Sequence, residues 1–144
     1  MRIRVDVSRP IYQQMIDEVK RAIARGELKP GDKLPSHRDM AQEIRVNPNT
    51  VQRAYREMEQ GGLVQTLRGL GTFISDDPTL VERTRDEMAR RSILAFVQEM
   101  RALGFSPADI VALVEKSVNE FSDGQKDLRD SIQGIQQTGV INSE

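Results

Sequence analysis

The chain has 144 residues, no cysteine, 4% aromatic side chains and a formal net charge of −1. That length forms one ordinary domain or two very small ones that must share a core, and the absence of cysteine excludes a disulfide framework and a thiolate metal site. No run approaches the roughly 20 apolar residues of a membrane span, and Met1 to Asp6 alternate charged and apolar residues, unlike the continuous apolar stretch of a signal peptide; a soluble, cytoplasmic protein with no membrane partner is expected.

Ile3, Val5 and Val7 alternate like a short strand. Ser8-Arg9-Pro10 reads as a helix start with proline at the first helical position. Ile11, Met15, Val19 and Ile23 then recur every four residues, widened by Tyr12, Ile16 and Ala22, until Gly26 closes the helix. Pro30-Gly31-Asp32 is a turn. Ser36 begins a second, short helix, with Asp39 three residues on as an acidic variant of the capping box, and Met40, Ala41 and Ile44 form its buried side. After a turn through Arg45 and Val46, Asn47-Pro48 starts a third helix that runs to about Gln60 and stops at Gly61-Gly62. Two helices so separated make a helix-turn-helix. Leu63 to Leu67 and Thr72 to Ser75, joined by Arg68-Gly69-Leu70-Gly71, predict a hairpin, which turns the motif into a winged helix.

Asp76-Asp77-Pro78 marks the expected boundary, giving a winged helix-turn-helix over 1–76 and a helical domain over 77–144. In the second part a long helix spans roughly Thr79 to Leu103, with Ala89, Ile93, Phe96, Val97, Met100 and Leu103 on one stripe, and Gly104 ends it. Ser106-Pro107 starts another, with Ile110, Leu113, Val114, Ser117 and Phe121 along one face. Beyond Ser122 the tail is polar, and Leu128, Ile132 and Ile135 could support a short last helix. The fold class is mainly α with a small β wing.

Charge is unevenly divided. Residues 1–76 carry 13 basic and 10 acidic side chains (net +3), and residues 77–144 carry 8 and 12 (net −4). A polyanion partner for the first part follows if its basic residues share a face. On the third helix, at about 100° per residue, Val51, Ala54, Tyr55 and Met58 make one apolar stripe. Asn49, Arg53 and Arg56 fall opposite, flanked by Gln52 and Gln60. Arg can donate two hydrogen bonds to guanine, and Asn or Gln can pair bidentately with adenine, so such a helix suits the major groove of double-stranded DNA. Its N-terminal end, with Asn49, Thr50, Gln52 and Arg53, is expected nearest the bases, and Arg56 nearer the phosphates. A polar helix face is also what ordinary solvation requires. Arg68, at the tip of a hairpin whose Gly69 and Gly71 leave the backbone bare, adds a minor-groove probe, where a plain tight turn would explain the glycines but not the arginine.

Four segments in consistent order, Pro10–Gln14, Gly26–Arg38, Val46–Tyr55 and Gly69–Ile74, closely resemble the GntR family of transcription regulators over roughly residues 8–76. The run Asn47-Pro48-Asn49-Thr50-Val51 and the short helical C-terminal part look like its YtrA subfamily. The resemblance implies a homodimeric repressor on a palindromic operator, in a subfamily that often regulates ABC-transporter operons. Arg38 matches the family's Pro-Ser-x-Arg motif and, with Arg53 and the wing glycines, carries the DNA-binding role over; Ser36 and Asn47, at the starts of the second and third helices, are further candidate DNA-binding residues. Where this chain has Pro48 and Gln52, members with larger effector domains often place Arg, so base preference does not transfer.

Two amphipathic helices in a segment of about 68 residues cannot enclose their own stripes. A second copy would complete a small bundle through Ile93, Phe96, Val97, Met100, Ile110, Leu113, Val114 and Phe121; packing on the chain's own winged helix is the alternative. Little room remains to enclose an effector, whose identity the sequence leaves unknown. No cofactor or metal is expected: His37 is the sole histidine, and Glu82, Asp86 and Glu87 read as exposed helix acids. There is no nucleophile–His–acid set and no Gly-rich phosphate loop, which argues against an enzyme. A winged helix that contacts protein or RNA is the remaining alternative class.

Overall fold

In the computed structural model, which describes residues 3–138, the four-residue apolar repeat of the first helix becomes the floor of a core. Helix α1 (Ile11–Ala24) buries Met15, Val19, Ala22 and Ile23 against α3 (Pro48–Gln60), which answers with Val51, Ala54, Tyr55 and Met58. Between them in sequence, α2 (His37–Ile44) adds Met40 and Ala41. The strands β1 (Val64–Leu67) and β2 (Gly71–Ile74) pair antiparallel in the register Val64↔Ile74 to Leu67↔Gly71 and close the core with Val64 and Ile74. An isolated bridge from Lys33 to Phe73 extends the hairpin by one pairing on its outer edge. The fold is a winged helix followed by helices, as the patterning predicts.

Local capping chemistry sets the element ends. Ser36 Oγ accepts from the Asp39 amide at 3.1 Å, and Asn47 Oδ1 accepts from the Asn49 amide at 2.8 Å, each satisfying a donor that the first helical turn leaves open. Between α2 and α3 the chain reverses at Arg45, whose φ of 56° and ψ of 53° are left-handed; Val46 N then donates to Ala41 O.

Two expectations are corrected. Residues 3–7 do not form a strand. Their backbone is tied instead by a side chain, since Asp6 N donates to Gln14 Oε1 and Gln14 Nε2 donates to the carbonyls of Asp6 and Arg9. Val7 is left almost fully exposed: the two-stranded sheet is paired elsewhere, so alternation found no edge to join. The segment after Ser122 is not separate either. Helix α5 runs unbroken over Pro107–Thr138, because between Ser122 and Thr138 only Gly124 and Gly134 weaken it, and each glycine costs only about 1 kcal/mol. The last residues of the expected tail, 139–144, lie outside the described residues.

Helix α4 spans Leu80–Ala102. The chain divides into two compact units, one ending at Ser92 and the next beginning at Ile93, so the division falls inside α4 rather than at the end of the wing. The first part of α4 is built into the head: Leu80 and Thr84 are buried there, Glu87 pairs with Lys20 of α1 at 2.6 Å, and Arg91 reaches Asp17 of α1 at 2.9 Å. In the second unit Ile110 is the one buried large apolar side chain among the described residues.

Candidate nucleic-acid interface

The packing of α3 dictates what it shows to solvent. With Val51, Ala54, Tyr55 and Met58 turned inward, Asn49, Gln52, Arg53 and Arg56 are exposed, and Thr50 is half-buried at the helix start. This is the ridge expected from the wheel. Tyr55 is fixed by donating its hydroxyl to Pro35 O at 2.7 Å; burial, with Glu43 nearby, pushes its phenol well above the ordinary range, so it stays a neutral donor. The same ring stands edge-on to His37, centroids 4.8 Å apart. One tyrosine thus ties the middle of α3 to the approach and first turn of α2.

The start of α2, the wing and α3 meet around one open cleft of about 630 Å³, lined among others by Lys33, Ser36, His37, Tyr55, Gly71 and Thr72. Arg38 is exposed on α2. Arg68 and Gly69 are exposed at the hairpin tip, next to Leu70, which is 64% exposed. Gly71 holds φ at +122°, and a Cβ there would lie 2.8 Å from Lys33 Cε. Only glycine fits that backbone comfortably, so it allows the Lys33 side chain to lie against the wing beside its tip. Ser36 and Asn47 serve first as helix caps; their side-chain oxygens are already engaged.

Ion pairs are unevenly spread over the head. On the side of α1 and α4 six cations are paired, Arg9 and Arg91 with Asp17, Lys20 with Glu87, Arg21 with Glu18, Arg25 with Glu18 and Glu27, and Arg83 with Asp77, while Arg85 and Arg90 of α4 are exposed. By contrast, among the described residues no acid stands within 4.0 Å of Lys33, Arg38, Arg45, Arg56 or Arg68. These five belong to the cleft, the helix-turn-helix and the wing tip. Uncompensated charge on one set of elements is the electrostatic footprint of a polyanion site. The exception is Arg53, paired with Glu57 at 3.4 Å and stacked on Tyr12.

Lys33 and Arg45 escape the sequence reading. Their signal was their type alone, a cation in a turn, and only the bridge to Phe73 and the left-handed bend place them beside the motif. Of the apolar positions expected to pair, Ile93, Phe96, Leu113, Val114 and Phe121 are exposed, and Val97 and Met100 are half-buried. Ile110 is 7% exposed, so it offers little surface to a second copy. The acids Glu82 and Asp86 are exposed and Glu87 is taken up by Lys20.

Residues 11–74 match the family described as bacterial regulatory proteins, gntR family. The chain is 42% identical over 117 residues to the uncharacterized HTH-type transcriptional regulator YhcF of Bacillus subtilis, covering 81% of this chain and 93% of that protein. It is 53% identical over 77 residues to the HTH-type transcriptional repressor YtrA of the same organism, covering 52% of this chain and 59% of that one. Among solved structures, a GntR family transcriptional regulator from Listeria monocytogenes superposes with a TM-score of 0.73 at 37% identity, covering 78% of this chain and 98% of that chain.

Proposed function

Because the chain belongs to the GntR family of bacterial regulatory proteins, a family of DNA-binding transcription regulators, we propose that it is a sequence-specific repressor. It acts as a homodimer on an inverted-repeat operator in duplex DNA. The observation that carries this reading is the exposed ridge of Asn49, Gln52, Arg53 and Arg56 on a helix whose opposite face is locked in the core. Such a ridge enters the major groove with its N-terminal end first, so Asn49, Thr50, Gln52 and Arg53 meet base edges. Arg38, Arg56 and Ser36, with the amides at the start of α2, meet phosphates. Arg68, Gly69 and Gly71 lie along the minor groove. Repression is favoured because the relative YtrA is named a repressor, and the subfamily resemblance makes an ABC-transporter operon the first target to test.

Dimerisation is supported by the second unit. Its large apolar side chains stand exposed on α4 and α5, where a second copy would cover them and set two reading heads on two half-sites. Footprinting of the region upstream of the protein's own gene tests the whole reading. A protected inverted repeat, lost as salt rises through counterion release, is the expected result. Equal protection of unrelated duplex would defeat sequence specificity, and turnover of a small molecule by the pure protein would defeat the regulator reading altogether.

A further inference from the structure

Arg53 differs from every other cation on the ridge in being held before any ligand arrives. Its guanidinium carbon lies 3.9 Å from the centroid of the Tyr12 ring, and its Nε faces Glu57 Oε1 at 3.4 Å. Tyr12 is the second residue of α1, half-buried where that helix packs on α3, and its hydroxyl accepts from Gln13 Nε2 at 3.1 Å. The face of the guanidinium is therefore occupied by the ring and one edge by a carboxylate. Stacking leaves in-plane donors available, so the Nη edge stays open, and the Arg53 side chain remains 60% exposed.

We propose that Tyr12 and Glu57 are positioning residues that aim the open Nη edge of Arg53 at a base, which makes the reach of the recognition helix a property of α1 as well as of α3. The inference rests on the regulator reading given above. A free arginine samples many rotamers and forfeits that freedom on binding; an arginine already stacked forfeits less. Glu57 also cancels much of the charge of Arg53, so this side chain adds little to phosphate attraction. Its contribution is directional, in contrast to Arg38, Arg56 and Arg68.

The full-length protein and its Tyr12→Phe, Tyr12→Leu and Arg53→Ala variants are each offered a randomised duplex library, and the enriched sites are sequenced. In parallel, NMR follows the Arg53 side chain without DNA. Ring current moves the Arg53 Hδ and Hε resonances upfield in the unmodified protein and in Tyr12→Phe, and Tyr12→Leu returns them to coil values. Tyr12→Leu blurs the same base position in each half-site that Arg53→Ala blurs, and weakens binding to the unmodified protein's best site by about two- to ten-fold. Tyr12→Phe, which keeps the ring face, restores both. Tyr12→Gln, polar like its neighbours and without a ring, takes the place of Tyr12→Leu if that variant does not fold. Unchanged or tighter binding by the ringless variant, or blurring at a position Arg53→Ala leaves sharp, overturns the proposal. Coil-like Arg53 resonances beside a sharp wild-type site overturn the positioning role alone, whereas no enriched site for the unmodified protein overturns the regulator reading itself.

Discussion

The two units of this chain obey the same helical periodicity and end in opposite states of burial. In the head, the apolar stripes of α1, α2 and α3 face one another and the wing closes over them, so Met15, Val19, Ile23, Val51 and Ala54 are fully buried. In the second unit, α4 and α5 carry stripes of similar regularity, yet Ile93, Leu103, Val111, Val118 and Phe121 are each more than half exposed and, among the described residues, only Ile110 is enclosed. Periodicity specifies which face of a helix is apolar; whether that face is covered depends on how many elements are present to cover it. Three helices and a hairpin suffice, and two helices do not.

The sharpest way to break this contrast is to charge the exposed face. Phe96→Asp is expected to leave the head's thermal transition intact while sedimentation moves from dimer to monomer. Affinity for an inverted repeat should fall by about 10²–10⁴-fold, the contribution of linking two half-site contacts. An unmodified protein that sediments as a monomer would remove the basis of the comparison. On the other side, Ile23→Ala cuts into a closed core and should cost about 2–5 kcal/mol of head stability, read from denaturant unfolding. If Ile23→Ala proves as mild as a surface change, the head is not a well-packed unit.

The head's architecture was legible in the sequence because each of its signals is local. Ser36 and Asn47 announce the caps they form, the wheel of α3 reads directly as its burial, and glycine density marks the wing. What was not legible depends on tertiary encounter. Asp17 and Gln14 sit on α1 among apolar neighbours and are buried, a placement that makes sense only once Arg9, Arg91 and the backbone of residues 6–9 arrive to satisfy them. The stack of Arg53 on Tyr12 joins residues far apart in the chain. The division at Ser92 is hidden for the same reason: α4 is one uninterrupted helix, and only the burial of Leu80 and Thr84 and the ion pairs with α1 reveal that its first part belongs to the head.

The Asp17 network yields a prediction of intermediate size. Burial alone would raise its carboxyl, but hydrogen bonds and charge from Arg9 and Arg91 outweigh burial and hold it below the ordinary Asp value. A carboxylate lowered in the folded state contributes stability that is fully present above its unfolded pKa and is lost as pH falls through its folded one. Asp17→Asn should therefore cost about 1–3 kcal/mol at neutral pH and flatten the loss of head stability below pH ~4, measured by melting temperature against pH. An acid limb as steep as that of the unmodified protein would assign the acid sensitivity to other carboxylates, Asp6 and Asp77 being held low by their own local hydrogen bonds.

The smallest effect expected is at Arg45, and it separates what the backbone wants from what the ligand wants. A left-handed φ of 56° costs a residue with a Cβ about 1–2 kcal/mol, while glycine there would lose about 0.5–1 kcal/mol through the greater freedom of its unfolded chain. Arg45→Gly is thus expected to stabilise the head by roughly 0.5–1 kcal/mol, the difference between those opposing terms, and Arg45→Ala to give no such gain. Both variants remove a cation from the turn between α2 and α3. If that cation faces a phosphate, each lowers the slope of log affinity against log salt by about 1, with little change in which sequence is preferred. A slope that stays constant in both while stability rises only in Arg45→Gly would mean the turn keeps an arginine for neither fold nor phosphate; a slope that falls in both would explain why this strained turn retains a charged side chain where glycine fits better.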